Sequence, residues 1–125
     1  EGADIILPVA GPVGLGAAAA VKARGNAYII GVDSDWYLTA PEYKEFELTS
    51  VMKMTDITTV KVIKSGLDGT FTGGNIVGNL ANGGVALAPF HDLDSIIPTS
   101  LKTELDQVKA DILSGKVVMN PEYKQ

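Results

Sequence analysis

Two apolar runs separated by a single glycine-opened helix constrain this chain most. Asp4-Ile5-Ile6-Leu7-Pro8-Val9-Ala10 comes first and Ala27-Tyr28-Ile29-Ile30-Gly31-Val32 second. A continuous apolar run of that length, with no polar alternation, suits a strand covered on both faces, as in a parallel sheet. Between the runs, Gly11, Gly14 and Gly16 punctuate a turn, and the pattern predicts a helix from about Val13 to Arg24. Lys22 and Arg24 fall in its last turn, where positive charge suits the helix dipole, and Gly25-Asn26 supplies the stop. Strand, helix and strand in so short a span make a βαβ unit.

A polar loop from Asp33 to Glu47 follows, and Leu48 to Met52 is expected to form a short strand. A helix then begins, with Thr55 or Asp56 as its cap, apolar Ile57, Val60, Ile63 and Leu67 on one side, and Gly66 at its end. The stretch from Asp68 to Gly84 is rich in Gly and Asn, and short strands are expected around Ile76 to Leu80 and Val85 to Pro89. Leu101, Leu105, Val108 and Ile112 place one apolar stripe on a last helix, with Pro98 in its first turn and Gly115 at its exit. Lys116 to Met119 reads as a closing strand or extended tail.

Composition narrows the function classes. The chain has 125 residues, 46% apolar and 20% charged, which is a globular balance. Its formal net charge is −5 and Lys and Arg are scattered, so no basic stripe marks a nucleic-acid partner. There is no cysteine for disulfide or thiolate chemistry, and one histidine, His91, from which no His-rich metal site can be built. No apolar run approaches the roughly 20 residues needed to cross a bilayer. Residue 1 is Glu and the chain enters its first apolar run almost at once, which reads as the middle of something longer.

In open α/β sheets, ligands bind beyond the carboxyl ends of the strands. One such end carries Gly11-Pro12-Val13-Gly14 and the next carries Asp33-Ser34-Asp35. The glycine turn offers backbone N–H groups, with Gly11 nearest a ligand, but its order is not that of a dinucleotide or phosphate loop. Its plainer role is a tight turn that lets helix and strand pack closely. Asp33, held on a rigid strand end, can accept two hydrogen bonds from vicinal hydroxyls of a sugar; its plainer role is capping the following turn. Asp35 is expected to be solvated or a turn acceptor, and together with Asp33 it offers too few oxygens for a cation. Lys53 follows the third strand and, if that strand joins the same sheet, brings three donors to the same cleft; otherwise it is a surface lysine. Trp36 and Tyr37 are candidates to stack a base or to pack over a neighbouring lobe. His91, Asp92 and Asp94 form a polar cluster without a nucleophile, read as structural, so neither a catalytic set nor a cofactor is expected.

Taken together, Gly2-Ala3-Asp4-Ile5-Ile6-Leu7-Pro8-Val9-Ala10-Gly11, Ile30-Gly31-Val32-Asp33-Ser34-Asp35 and Leu48-Thr49-Ser50-Val51-Met52-Lys53 resemble the basic membrane protein family. These are purine-nucleoside-receptor-type substrate-binding lipoproteins of ABC transporters. Gly83-Gly84-Val85-Ala86-Leu87-Ala88 and Ile112-Leu113-Ser114-Gly115 extend the resemblance over nearly the whole chain. It implies an α/β fold: a parallel-sheet, three-layer lobe of a two-lobed type I periplasmic-binding-protein-like fold, incomplete in this chain. By that resemblance, residues 1 to about 50 belong to the C-terminal lobe, about 51–70 contribute to the N-terminal lobe, and about 71–125 cross back.

The same resemblance implies a receptor, not an enzyme. Gly11 would approach the ligand through its backbone, and Asp33 and Lys53 would hold ribose hydroxyls. Trp36 stands where similar sequences often carry Gln, which would alter the cleft rim. The expected partners are a nucleoside, an ABC permease in the membrane and the N-terminal part of the same protein. The expected location is extracytoplasmic, with a signal and lipid-bearing cysteine upstream. A regulatory sensor on the same fold and a sugar receptor are the alternatives.

Overall fold

The structure, a computed structural model, describes residues 2–118. The chain divides into two compact units, residues 1–94 and residues 95 onward. The first contains strands β1 (Ile5–Ile6), β2 (Tyr28–Asp33), β3 (Glu47–Lys53) and β4 (Val85–Leu87), with helices α1 (Gly14–Arg24), α2 (Trp36–Thr39) and α3 (Thr55–Leu67). The second contains helix α4 (Thr99–Leu113). The strands form one sheet in the order β1-β2-β3-β4. β1, β2 and β3 run parallel, as the βαβ pattern predicts, and the edge strand β4 runs antiparallel to β3. An antiparallel edge on an otherwise parallel sheet is a common arrangement.

The core forms where α1 crosses the sheet. Ala18 and Val21 of α1 pack with Ala27, Ile29 and Val32, and Trp36 and Ala40 complete the cluster. Small residues on α1 bring helix and sheet close together. Gly14 rests on the Trp36 ring, where an added Cβ would lie 3.1 Å from Cη2. Gly31 is tighter still. A Cβ there would collide with the Ser50 hydroxyl and lie 2.7 Å from the indole Cγ. α1 ends as its sequence predicts, with Gly25 at a φ of 76° and its amide on Val21 O.

Several expectations are corrected. The first apolar run yields only two strand residues, because Pro8 has no N–H for a ladder and the Ala10 amide turns back to Pro8 O. Nor is that run covered on both faces: Ile5, Leu7 and Val9 are exposed. No strand forms at Ile76 to Leu80. Asn79 and Asn82 exchange amide-to-side-chain bonds of 2.9 and 3.0 Å, and Asn82 also donates to Val77 O. Side chains thus satisfy backbone that would otherwise seek a ladder. Gly84 crosses directly over Gly78, an approach a side chain would forbid.

α3 begins without the expected Thr55 or Asp56 cap. Met54 holds that position and its own amide donates to Gly84 O, while Asp56 lies in the first turn, where its charge suits the dipole. The expected apolar side of α3 is present but uncovered, with none of its residues buried. α4 spans its predicted stripe and gives way to Gly115 at a φ of 76°. Residues 116–118 form no strand, and Met119 lies outside the described residues.

Candidate functional site

The parallel order of β1, β2 and β3 puts their carboxyl ends on one edge. After β1 the chain makes a 3-10 turn over Gly11–Val13, entered with Gly11 at a φ of 54°. Asp33 is the last residue of β2 and Lys53 the last of β3. Register pairs Asp33 with Met52, so Lys53 lies one step further along the same edge. Its ammonium reaches back to Asp33, with Nζ 2.6 Å from Oδ1. Gly11, Pro12, Asp33 and Thr39 help line a cavity of about 220 Å³. Lys53 itself lines a second cleft of about 390 Å³, together with Thr55, Thr58, Thr59 and Ile76.

Asp33 carries backbone strain. Its φ is 71°, and the Ser34 amide donates to Val32 O at 2.9 Å, so Asp33 is the centre of a tight three-residue turn. A non-glycine residue there is uncommon, although Asp tolerates the region better than most. The turn throws the carboxylate off the sheet edge toward Lys53. Both members of the pair stay wet, with side chains 49% and 70% exposed.

Just behind this edge lies a second polar cluster. Asp35 caps α2, its Oδ1 accepting the Tyr37 amide at 3.1 Å, and its Oδ2 lies 2.9 Å from His91 Nε2. The Tyr37 ring stacks on the imidazole at 4.0 Å between centroids, and its hydroxyl donates to Asp92 at 2.9 Å. That bond to Asp92 is the main reason the Tyr37 hydroxyl is held above the usual tyrosine range. Deeper in, the Ser50 hydroxyl donates to Glu47 Oε1 and accepts the Trp36 amide. Glu47 is buried and its Oε2 has no hydrogen-bond partner. Desolvation raises the Glu47 carboxyl above the ordinary carboxylate range; the Ser50 bond opposes this and nearby Asp35 adds to it.

The three residues singled out from sequence therefore meet: Asp33 and Gly11 line one cavity, and Lys53 contacts Asp33. Asp33 does not cap the next turn; Asp35 does, and it is sheltered, not solvated. With Asp33 on Lys53 and Asp35 on His91, the two carboxylates do not form a cation pair. Among the described residues, no three His or acidic side chains cluster as metal ligands. Trp36 lines the same cavity as Gly11 and Asp33. It is buried, with its indole N–H donating to Val32 O. Tyr37 is spent on His91 rather than offered to a base. The sequence pattern missed Glu47 and the Asp35–His91 link, which joins residues 56 apart. The one signal for Glu47 was its place directly before the Leu48–Met52 run.

A profile of the Bmp family, described as PnrA-like ABC transporter substrate-binding protein, matches residues 1–121. No curated protein matches the chain. Among solved structures, a transcriptional activator of the comK gene from Bacillus halodurans is similar with a TM-score of 0.77 at 21% identity, over 94% of this chain and 39% of that one. An ABC transporter system solute-binding protein from Conexibacter woesei gives 0.71 at 21% identity, over 98% and 39%. An ABC transporter system solute-binding protein from Aeropyrum pernix gives 0.74 at 22% identity, over 95% and 41%. The chain thus spans about two fifths of the length of these structures. At such identities the likeness is one of fold.

Proposed function

This chain belongs to the PnrA-like family of ABC transporter substrate-binding proteins, and on that premise we propose that it forms one wall of a nucleoside-binding cleft. The observation that carries the proposal is the meeting of Gly11, Asp33 and Lys53 at one sheet edge, with Asp33 strained at a φ of 71°. Strained backbone conformations cluster at active sites and ligand clamps. The chemistry fits a sugar. A carboxylate accepts from hydroxyls, an ammonium donates to their lone pairs, and two adjacent hydroxyls can use both at once. Ligand would insert between Asp33 and Lys53, exchanging one exposed ion pair, worth about 0–1 kcal/mol, for charge-assisted bonds.

Base recognition would come from residues outside this chain. The cavity of about 220 Å³ beside Asp33 falls below the roughly 300–1,000 Å³ of a complete small-molecule site. We assign residues 1 to about 50 to the C-terminal lobe, about 51–70 to the N-terminal lobe, and about 71–125 to the return. The uncovered apolar side of α3 supports that division, since it has the character of a surface that meets another part of the same protein. Ligand bridging both lobes would favour a closed form. The closed receptor, extracytoplasmic and lipid-anchored, would deliver its nucleoside to an ABC permease. No catalytic step is involved.

A sensing role on the same scaffold is the second proposal, favoured by the fold likeness to the comK activator. Binding of operator DNA by the native protein would decide for sensing, and its recovery in membrane fractions for transport. Calorimetry of the full native polypeptide against purine nucleosides, pyrimidine nucleosides and free sugars tests the ligand class. Saturable binding of a purine nucleoside is expected. Binding of sugars alone would sink the nucleoside assignment.

A further inference from the structure

We infer that His91 is a positioning residue for the Asp33 contact, acting through Asp35; the inference rests on the proposal that Asp33 grips ligand. Among the described residues that carry side chains, Asp33 and His91 are the two with φ in the left-handed region, at 71° and 44°. Such conformations persist only where their surroundings over-determine them. Here one closed ring of contacts does so. His91 Nε2 lies 2.9 Å from Asp35 Oδ2, and Asp35 Oδ1 accepts the Tyr37 amide. Tyr37 stacks on His91 with 13° between the planes, and its hydroxyl holds Asp92, the next residue along.

This ring clasps the turn after β4 to the turn after β2, two residues from Asp33. Ser34 transmits the hold. Its amide closes the Asp33 turn on Val32 O, and its hydroxyl meets Thr39 Oγ1 at 3.0 Å. The clasp is sheltered where the grip is wet: the His91 and Asp35 side chains are 23% and 13% exposed, against 70% and 49% for Lys53 and Asp33. A sheltered hydrogen bond keeps its geometry, whereas an exposed ion pair is loosened by water and salt. The stiffness that aims the Asp33 carboxylate therefore comes from His91, not from Lys53. Once Asp35 is released, the turn is free to relax to an ordinary φ and to carry the Asp33 carboxylate away from the Gly11 cavity.

The test is calorimetry of the full native polypeptide with adenosine, guanosine and inosine. His91→Phe keeps a ring to stack on Tyr37 and deletes the N–H. It should raise Kd by about tenfold, the scale of one charge-assisted hydrogen bond. His91→Gln, which returns an amide donor near Nε2, should recover most of that loss. In an Asp33→Ala background, His91→Phe should cost nothing further, because coupled residues are not additive. An unchanged Kd in His91→Phe, or an equal loss with and without Asp33, would overturn the inference. If His91→Phe does not fold, Asp35→Asn keeps the Tyr37 acceptor, removes the charge and is judged by the same outcomes. If the wild type binds none of the three nucleosides, the ligand proposal fails alone. Unliganded crystal structures of wild type and His91→Phe then decide this one: residue 33 leaving the left-handed region supports it, and an unmoved Asp33 on Lys53 overturns it.

Discussion

At the scale of single residues, the polar groups divide by how much water they see. Asp33 and Lys53 sit at the sheet edge, paired but exposed, where an ion pair is worth little; on the proposed reading they would exchange each other for ligand. Glu47 is the opposite case. It is buried with one oxygen unpartnered, and burial raises its carboxyl above the ordinary value. Because the folded value lies above the unfolded one, the fold prefers the protonated form. Its contribution is complete below the usual carboxylate range and is lost as pH rises through the raised value. Denaturant titrations of Glu47→Gln against wild type are expected to show the variant gaining relative stability from pH 4 upward until the carboxyl is ionised, and then holding that gain; a constant difference across pH would contradict this. Asp33 was legible in the sequence because it ends an apolar run, where a charge has few other reasons to sit. Asp35 and His91 were not, since a polar residue in a loop carries no periodicity and the two lie 56 residues apart; Glu47 was not, since a charged residue at a strand's start gives no local sign that packing buries it. The burial of Trp36 was not legible either: only the space above Gly31 shows that its indole belongs inside.

Among the elements, α1, α3 and α4 were readable because a helical apolar period and a glycine stop are local signals. Strand length was not, because it depends on a partner's ladder. β1 stops where Pro8 cannot donate, and β4 turns out antiparallel because its residues pair against Val51, Met52 and Lys53 in reverse. The segment from Ile76 to Gly84 misled most. Its apolar residues look strand-like, but Asn82 folds it into a side-chain-bonded loop. Asn82→Ala removes acceptors from the Asn79 and Gly84 amides and a donor from Val77 O. Amide exchange at Asn79 and Gly84 should accelerate, with a stability loss of about 1–3 kcal/mol by denaturant titration. Unchanged exchange at both amides would show that this loop is held by its backbone bonds, such as Gly84 N–H to Asn79 O, and by the Gly78–Gly84 crossing, without help from Asn82.

For the whole molecule, family membership over residues 1–121 and a shared fold with solute-binding proteins make a receptor the natural frame. On the proposed reading the chain supplies one polar wall; it spans about two fifths of those structures and leaves the apolar side of α3 uncovered. A ligand site that buries most of its guest needs a second wall. The central claim is that Asp33 and Lys53 grip the sugar hydroxyls. Its most direct test is the ratio of Kd for a 2′,3′-dideoxynucleoside to that for the matching ribonucleoside, measured by calorimetry on the full native polypeptide and on its Asp33→Ala variant. The ratio should be roughly hundred- to ten-thousandfold in the wild type, the scale of one charge-assisted bond of about 1.5–3 kcal/mol for each of the two lost hydroxyls, and should fall by at least about tenfold in the variant, where Lys53 alone remains. The same ratio in both proteins would mean that Asp33 does not hold the sugar.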